Sequence, residues 1–60
     1  MCESKVLLNG KVVMEDVVRI VVKDDKVKVY DILGSSKELK AKVVEVDLLG
    51  HKVLLEGLDG

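Results

Sequence analysis

Short apolar stretches separated by pairs of turn-forming or charged residues run the length of the chain. Asn9-Gly10 stands between CESKVLL and KVVM, and an Asn-Gly pair with extended flanks predicts a two-residue hairpin. Glu15-Asp16 interrupts the apolar pattern, after which VVRIVVK (17–23) resumes as a β-branched run, so this reading places strands on either side of the acidic pair. Asp24-Asp25 then leads into KVKVYDI, where Lys26, Lys28 and Tyr30 alternate with Val27 and Val29. That alternation predicts a strand with one buried and one wet face.

Gly34-Ser35-Ser36 marks the next turn, and KELKAKVVEVDLL follows it. Leu39, Val43 and Val46 also fit helical spacing, but the valine content favours a strand. Leu39, Ala41 and Val43 share one parity, whereas Val44, Val46 and Leu48 take the other. A bulge or bend at Val43-Val44 is therefore expected, keeping both sets inward as the strand passes around a small barrel. Gly50 ends the run and HKVLLE supplies the last strand. The expected fold is all-β: a single domain over residues 1–60, built as a small SH3-like or Sm-like barrel of five or six short antiparallel strands.

Composition adds a constraint on stability. The chain has 60 residues, 48% of them hydrophobic, with no Phe, Trp or Pro and one Tyr. A domain of this size buries only about 60% of the surface its unfolded chain exposes, and its single cysteine cannot close an intrachain disulfide. One face of VVRIVVK or of KVLLE should remain uncovered, which predicts a homodimer. Ten Lys and Arg against eleven Asp and Glu give a formal charge of -1, without the overall cationic excess that phosphate backbones attract. No apolar run reaches the ~20 residues of a membrane span, and the start lacks the pattern of a signal peptide, so a cytoplasmic location is expected.

Candidate chemistry is concentrated in MCESKV. Cys2 is the one soft ligand in the chain. A cysteine often serves as a small packing residue, but position 2 offers little core to join. A terminal amine, a deprotonated backbone amide and a thiolate within one or two residues can close fused chelate rings around an ion. Planar N and S donors suit Ni(II) or Cu(II), whereas closed tetrahedral sites suit Zn. Met1 carries the terminal amine; if it is removed, Cys2 carries it instead. If a dimer axis passes near the N-termini, two Cys2 thiolates would share one ion. Glu3 could add a donor, and its alternative is a solvated strand residue. His51 is an imidazole ligand by chemistry, though a solitary His is more often a turn residue. Asp24-Asp25 lacks the Gly and spaced acids of a calcium loop and reads as a turn. No nucleophilic triad context, phosphate-binding glycine loop or CxxC is present, which argues against an enzyme.

Four segments taken in order, MCESKV, VMEDVVRI, DILG and D-L-x-G-H-K-V, resemble the CooT family of small nickel-binding proteins. The resemblance implies a homodimer in which the cysteine after the initiator methionine, here Cys2, binds Ni(II) at the interface. It also implies a chaperone or storage role in the maturation of a nickel enzyme such as carbon monoxide dehydrogenase, with no catalysis. The competing reading is an Sm-like RNA-binding or protein-interaction module. Against its RNA form stands the scarcity of stacking groups, since only Tyr30 and Arg19 are available.

Overall fold

The computed structural model describes residues 4–58. Five strands, β1 (Ser4–Leu8), β2 (Lys11–Lys23), β3 (Lys26–Asp31), β4 (Ser36–Asp47) and β5 (Lys52–Gly57), follow one another around a closed barrel. Neighbouring strands are antiparallel except at the seam, where β1 runs parallel to β5 with Lys5 opposite Lys52 and Leu8 opposite Leu55. The all-β expectation holds, with two corrections: the closing pair is parallel, and two of the strands are long.

Both long strands serve two sides of the barrel. Residues 11–17 of β2 face β1 and residues 17–23 face β3. Glu15-Asp16, expected to separate two strands, instead lies within one. Asp16 adopts φ 55°, a left-handed conformation that short polar side chains tolerate. Its carbonyl accepts the Ile32 N–H at 2.9 Å. Val17 and Arg19 face the successive residues Asp31 and Tyr30, so Val18 is an inserted residue.

The same device appears in β4. Val43 and Glu45 face the successive residues Leu55 and Leu54, which makes Val44 the extra residue. The expected bulge is therefore present and sets Val46 opposite buried Val53, on the face that Val43 shares with Leu55, yet Val44, Val46 and Leu48 all remain exposed. The bulge residue turns outward, and β4 then runs past the filled core to the end of the barrel, where Asp47 pairs with Lys52.

The core comprises Val6, Val17, Val27, Val29, Ala41, Val53 and Leu55, with Val6, Val27 and Val29 fully buried. Leu8, Val13, Met14, Ile20, Leu39 and Val43 pack around it. Val27 and Val29 point inward while Lys28 and Tyr30 stand on the opposite face, as the alternation required. Of the two stretches expected to leave apolar surface uncovered, VVRIVVK does so at Val18, Val21 and Val22, whereas Val53 and Leu55 of KVLLE are buried.

Turn chemistry fixes the register. Asn9 and Gly10 have φ of 52° and 85°, the two positive values of a type I′ hairpin turn. Asn9 also accepts the Gly57 N–H through Oδ1 at 3.1 Å and donates its own N–H to Leu55 O at 3.0 Å. The first hairpin is thereby tied to the last strand. Asp24-Asp25 forms the β2–β3 turn, with Asp24 at φ 56°.

Candidate metal site at the start of the first strand

The residues proposed to bind metal, Cys2 and Met1, and their neighbour Glu3 lie outside the described residues. Ser4 is the first described residue. Covalent geometry bounds their reach: two residues of fully extended chain span at most about 7 Å, so Cys2 stays within that distance of Ser4 in any conformation.

The surroundings of Ser4 are well defined. Ser4 pairs with Val17 on β2, and the next residue, Lys5, donates its N–H to His51 O at 2.9 Å. Two concavities meet at Ser4. One, of about 260 Å³, is lined by Ser4, Val46, Asp47, Leu48, His51, Lys52 and Val53. The other, of about 240 Å³, is lined by Ser4, Val17, Val18, Arg19, Ile20 and Val53. Exposed aliphatic side chains thus flank the start of β1 on both sides, with Val18 60%, Val46 55% and Leu48 80% accessible.

His51 reaches this surface from the β4–β5 loop, where its backbone adopts φ 56°. Asp47 shapes the loop by accepting the Gly50 N–H on Oδ1 at 2.8 Å, a local turn in which an Asp side chain stands in for a backbone acceptor. A Cβ at Gly50 would lie 2.6 Å from Asp47 Oδ2, so the Asp47 carboxylate would have to swing away to admit it. Gly50→Ala is expected to rotate the carboxylate away and lose its bond. The bond is solvent-exposed, so that loss costs about 0.5 to 1.5 kcal/mol, while replacing Gly lowers unfolded-state entropy by about 0.4 to 1 kcal/mol, so Gly50→Ala should stay within about 1 kcal/mol of wild type. Urea titration of Gly50→Ala, Asp47→Ala and the double variant checks it. In the Asp47→Ala background, where no carboxylate has to move, Gly50→Ala should be stabilising by about 0.4 to 1 kcal/mol.

Among the described residues, no three His, Cys, Asp or Glu side chains come together as a metal cluster. His51 and Asp47 line the same concavity without making a site by themselves, and Glu45 and Glu56 do not join them there. The sequence reading missed the lining formed by Val46, Leu48 and Val18. It expected Val46 and Leu48 to be buried, and only the bulges reveal where the side chains go.

Among the described residues, the site is a small closed β-barrel end at which two concavities meet at Ser4, rimmed by exposed aliphatic side chains. The chain matches the model for "CO dehydrogenase accessory protein CooT" over residues 1–56, and it belongs to the CooT family. An uncharacterized protein of Archaeoglobus fulgidus is 64% identical over 44 residues, covering 73% of this chain and 98% of that protein. An uncharacterized protein of Methanocaldococcus jannaschii is 39% identical over 57 residues, covering 95% and 100% respectively. A crystal structure from Carboxydothermus hydrogenoformans, assigned to CooT, superposes with a TM-score of 0.86 at 26% identity, covering 97% of this chain and all of that one. As a member of this family the protein is an accessory factor and not itself a catalyst.

Proposed function

We propose that the protein is a nickel carrier: a homodimer that holds one Ni(II) between its two N-termini and supplies it for maturation of a nickel enzyme such as CO dehydrogenase. Each chain contributes the Cys2 thiolate together with nitrogen donors from its terminus, the amine belonging to Met1 or, after processing, to Cys2. Thiolate and amine donors in a plane suit Ni(II), and a soft anionic ligand strengthens the hold on a late first-row ion.

The observation that carries this reading is the position of Ser4, which tethers Cys2 within about 7 Å of a barrel end flanked by exposed Val18, Val46 and Leu48. A second copy covering that aliphatic surface would bring two thiols to one ion. An interface elsewhere would leave each chain with a single thiol. The dimer also accounts for apolar surface that the small core leaves uncovered.

Native mass spectrometry of the nickel-loaded protein tests the arrangement, with one ion per two chains as the expected result. Val46→Glu, which places a charge in the apolar rim, should shift sedimentation toward monomer and reduce nickel bound per chain together. Retention of a full dimer and full nickel loading by Val46→Glu would place the interface elsewhere.

A further inference from the structure

Asn9-Gly10 turns the first hairpin and also carries reactive chemistry. When glycine follows asparagine, the next backbone nitrogen meets the least obstruction in reaching the side-chain carboxamide, because glycine has no Cβ. Both residues are exposed, and the space where a Gly10 side chain would stand is open, with no atom within 4 Å. No described residue accepts the Gly10 N–H. Water and the attacking nitrogen are therefore both at hand.

The fold restrains the other reactant. Asn9 Oδ1 accepts the Gly57 N–H at 3.1 Å, and the Asn9 N–H is held by Leu55 O at 3.0 Å. Ring closure requires the carboxamide carbon to turn onto the Gly10 nitrogen, and the bond from Gly57 opposes that rotation. Both restraints come from the last turns of chain in β5, of which Gly57 is the final residue. They hold only while the barrel is closed, and element ends open locally far more often than the whole fold.

We propose that Asn9 is a spontaneous deamidation site gated by the last strand. When β5 peels from the first hairpin, the Gly10 nitrogen attacks Asn9 Cγ: the N–Cγ bond forms, the Cγ–Nδ2 bond breaks, and the Gly10 proton leaves with the amide as ammonia. Water then opens the cyclic imide. Cleavage at Cγ yields aspartate, and cleavage at the main-chain carbonyl yields isoaspartate, whose backbone runs through the former side chain. Aspartate keeps an acceptor oxygen for Gly57 and tolerates the left-handed backbone of residue 9. Isoaspartate adds a backbone carbon to a two-residue turn and so disturbs the register that sets Leu8 opposite Lys11. A barrel that has opened at this seam is thereby marked and does not close as before.

Incubation of the full chain at mildly alkaline pH, with peptide mapping by mass spectrometry for both products, tests this. Folded wild type should deamidate at least about tenfold more slowly than the same chain in urea, because the reaction awaits local opening. A Cβ at Gly57 would lie 3.3 Å from Asn9 Nδ2, so Gly57→Val should displace the amide and quicken the folded-state reaction roughly two- to tenfold, the worth of one exposed hydrogen bond. Gly57→Ala, the milder change, should act in the same direction by less. Ile20→Val, a half-buried truncation away from the seam that lowers global stability, should deamidate at the wild-type rate while folded. A folded rate equal to that in urea would overturn the proposal, as would equal acceleration by Ile20→Val and Gly57→Val. The isoaspartate fraction, separated by chromatography, should melt below Asn9→Asp; identical melting would show that the turn tolerates the extra atom and would overturn the one-way mark.

Discussion

Leu55→Ala is expected to unfold a substantial fraction of the protein at 25 °C. Leu55 is 2% exposed and belongs to a core of seven small or medium side chains, in which no Phe or Trp can relax into the space it leaves. Truncation of a buried leucine to alanine costs about 2 to 5 kcal/mol, through lost transfer energy and residual cavity. Total stability at about 0.05 to 0.15 kcal/mol per residue comes to roughly 3 to 9 kcal/mol for a chain of this length. One substitution therefore removes a large share of the whole. Urea unfolding followed by circular dichroism, at fixed protein concentration, gives the measurement. Leu49→Ala is the matched control: Leu49 is 93% exposed and its loss should change stability by about 0.5 kcal/mol or less. If the two variants behaved alike, the assigned core would be wrong.

Cys2→Ser is expected to weaken Ni(II) binding by more than about 100-fold. Substitution of groups that merely orient a metal ligand costs about 10- to 100-fold in affinity, so removal of the ligand itself should exceed that range. A serine hydroxyl is a harder donor and stays protonated where a thiolate forms. In the proposed dimer both thiolates disappear with one substitution. Calorimetric titration measures the affinity, and thiolate-to-nickel charge-transfer absorption should vanish in the variant. Because the thiol must lose its proton to bind, nickel affinity should rise with pH and each binding event should release protons. Titration in two buffers of different ionisation enthalpy counts them. Affinity unchanged in Cys2→Ser would remove the basis of the nickel reading while leaving the fold and family untouched.

Local turn chemistry explains why much of the architecture was legible before any coordinates. Asn9-Gly10 and Asp24-Asp25 are turns because the backbone needs positive φ at Asn9, Gly10 and Asp24, and these residue types supply it. The bulge at Val44 was visible as a change of parity. What failed was inference across Glu15-Asp16, where a charged pair looks like a break but is a bend within one strand. The inward fate of Val46 and Leu48 failed for a related reason: periodicity shows that a face changes, not whether any core remains to receive it. The parallel seam was equally invisible, since pairing between the first and last strands is a property of closure and not of local pattern. At the candidate site, Cys2 is singled out by residue type and position and lies outside the described residues, whereas the aliphatic rim around Ser4 depends on where two bulges point. That Lys23, Lys26 and Lys40 fall in one row across β2, β3 and β4 could not be read from spacing, because they become neighbours only through the register of three strands.

The seam between β1 and β5 joins Lys5 to Lys52 and Leu8 to Leu55, contacts separated by nearly the full length of the chain. During synthesis β2, β3 and β4 can assemble as successive hairpins, but β1 has its second neighbour only after residues 52–57 leave the ribosome. Contacts of such long range slow folding, and until they form the first strand presents an open backbone edge. In the proposed carrier, nickel loading should accordingly be a late event, available only to a chain that has already circularised its sheet.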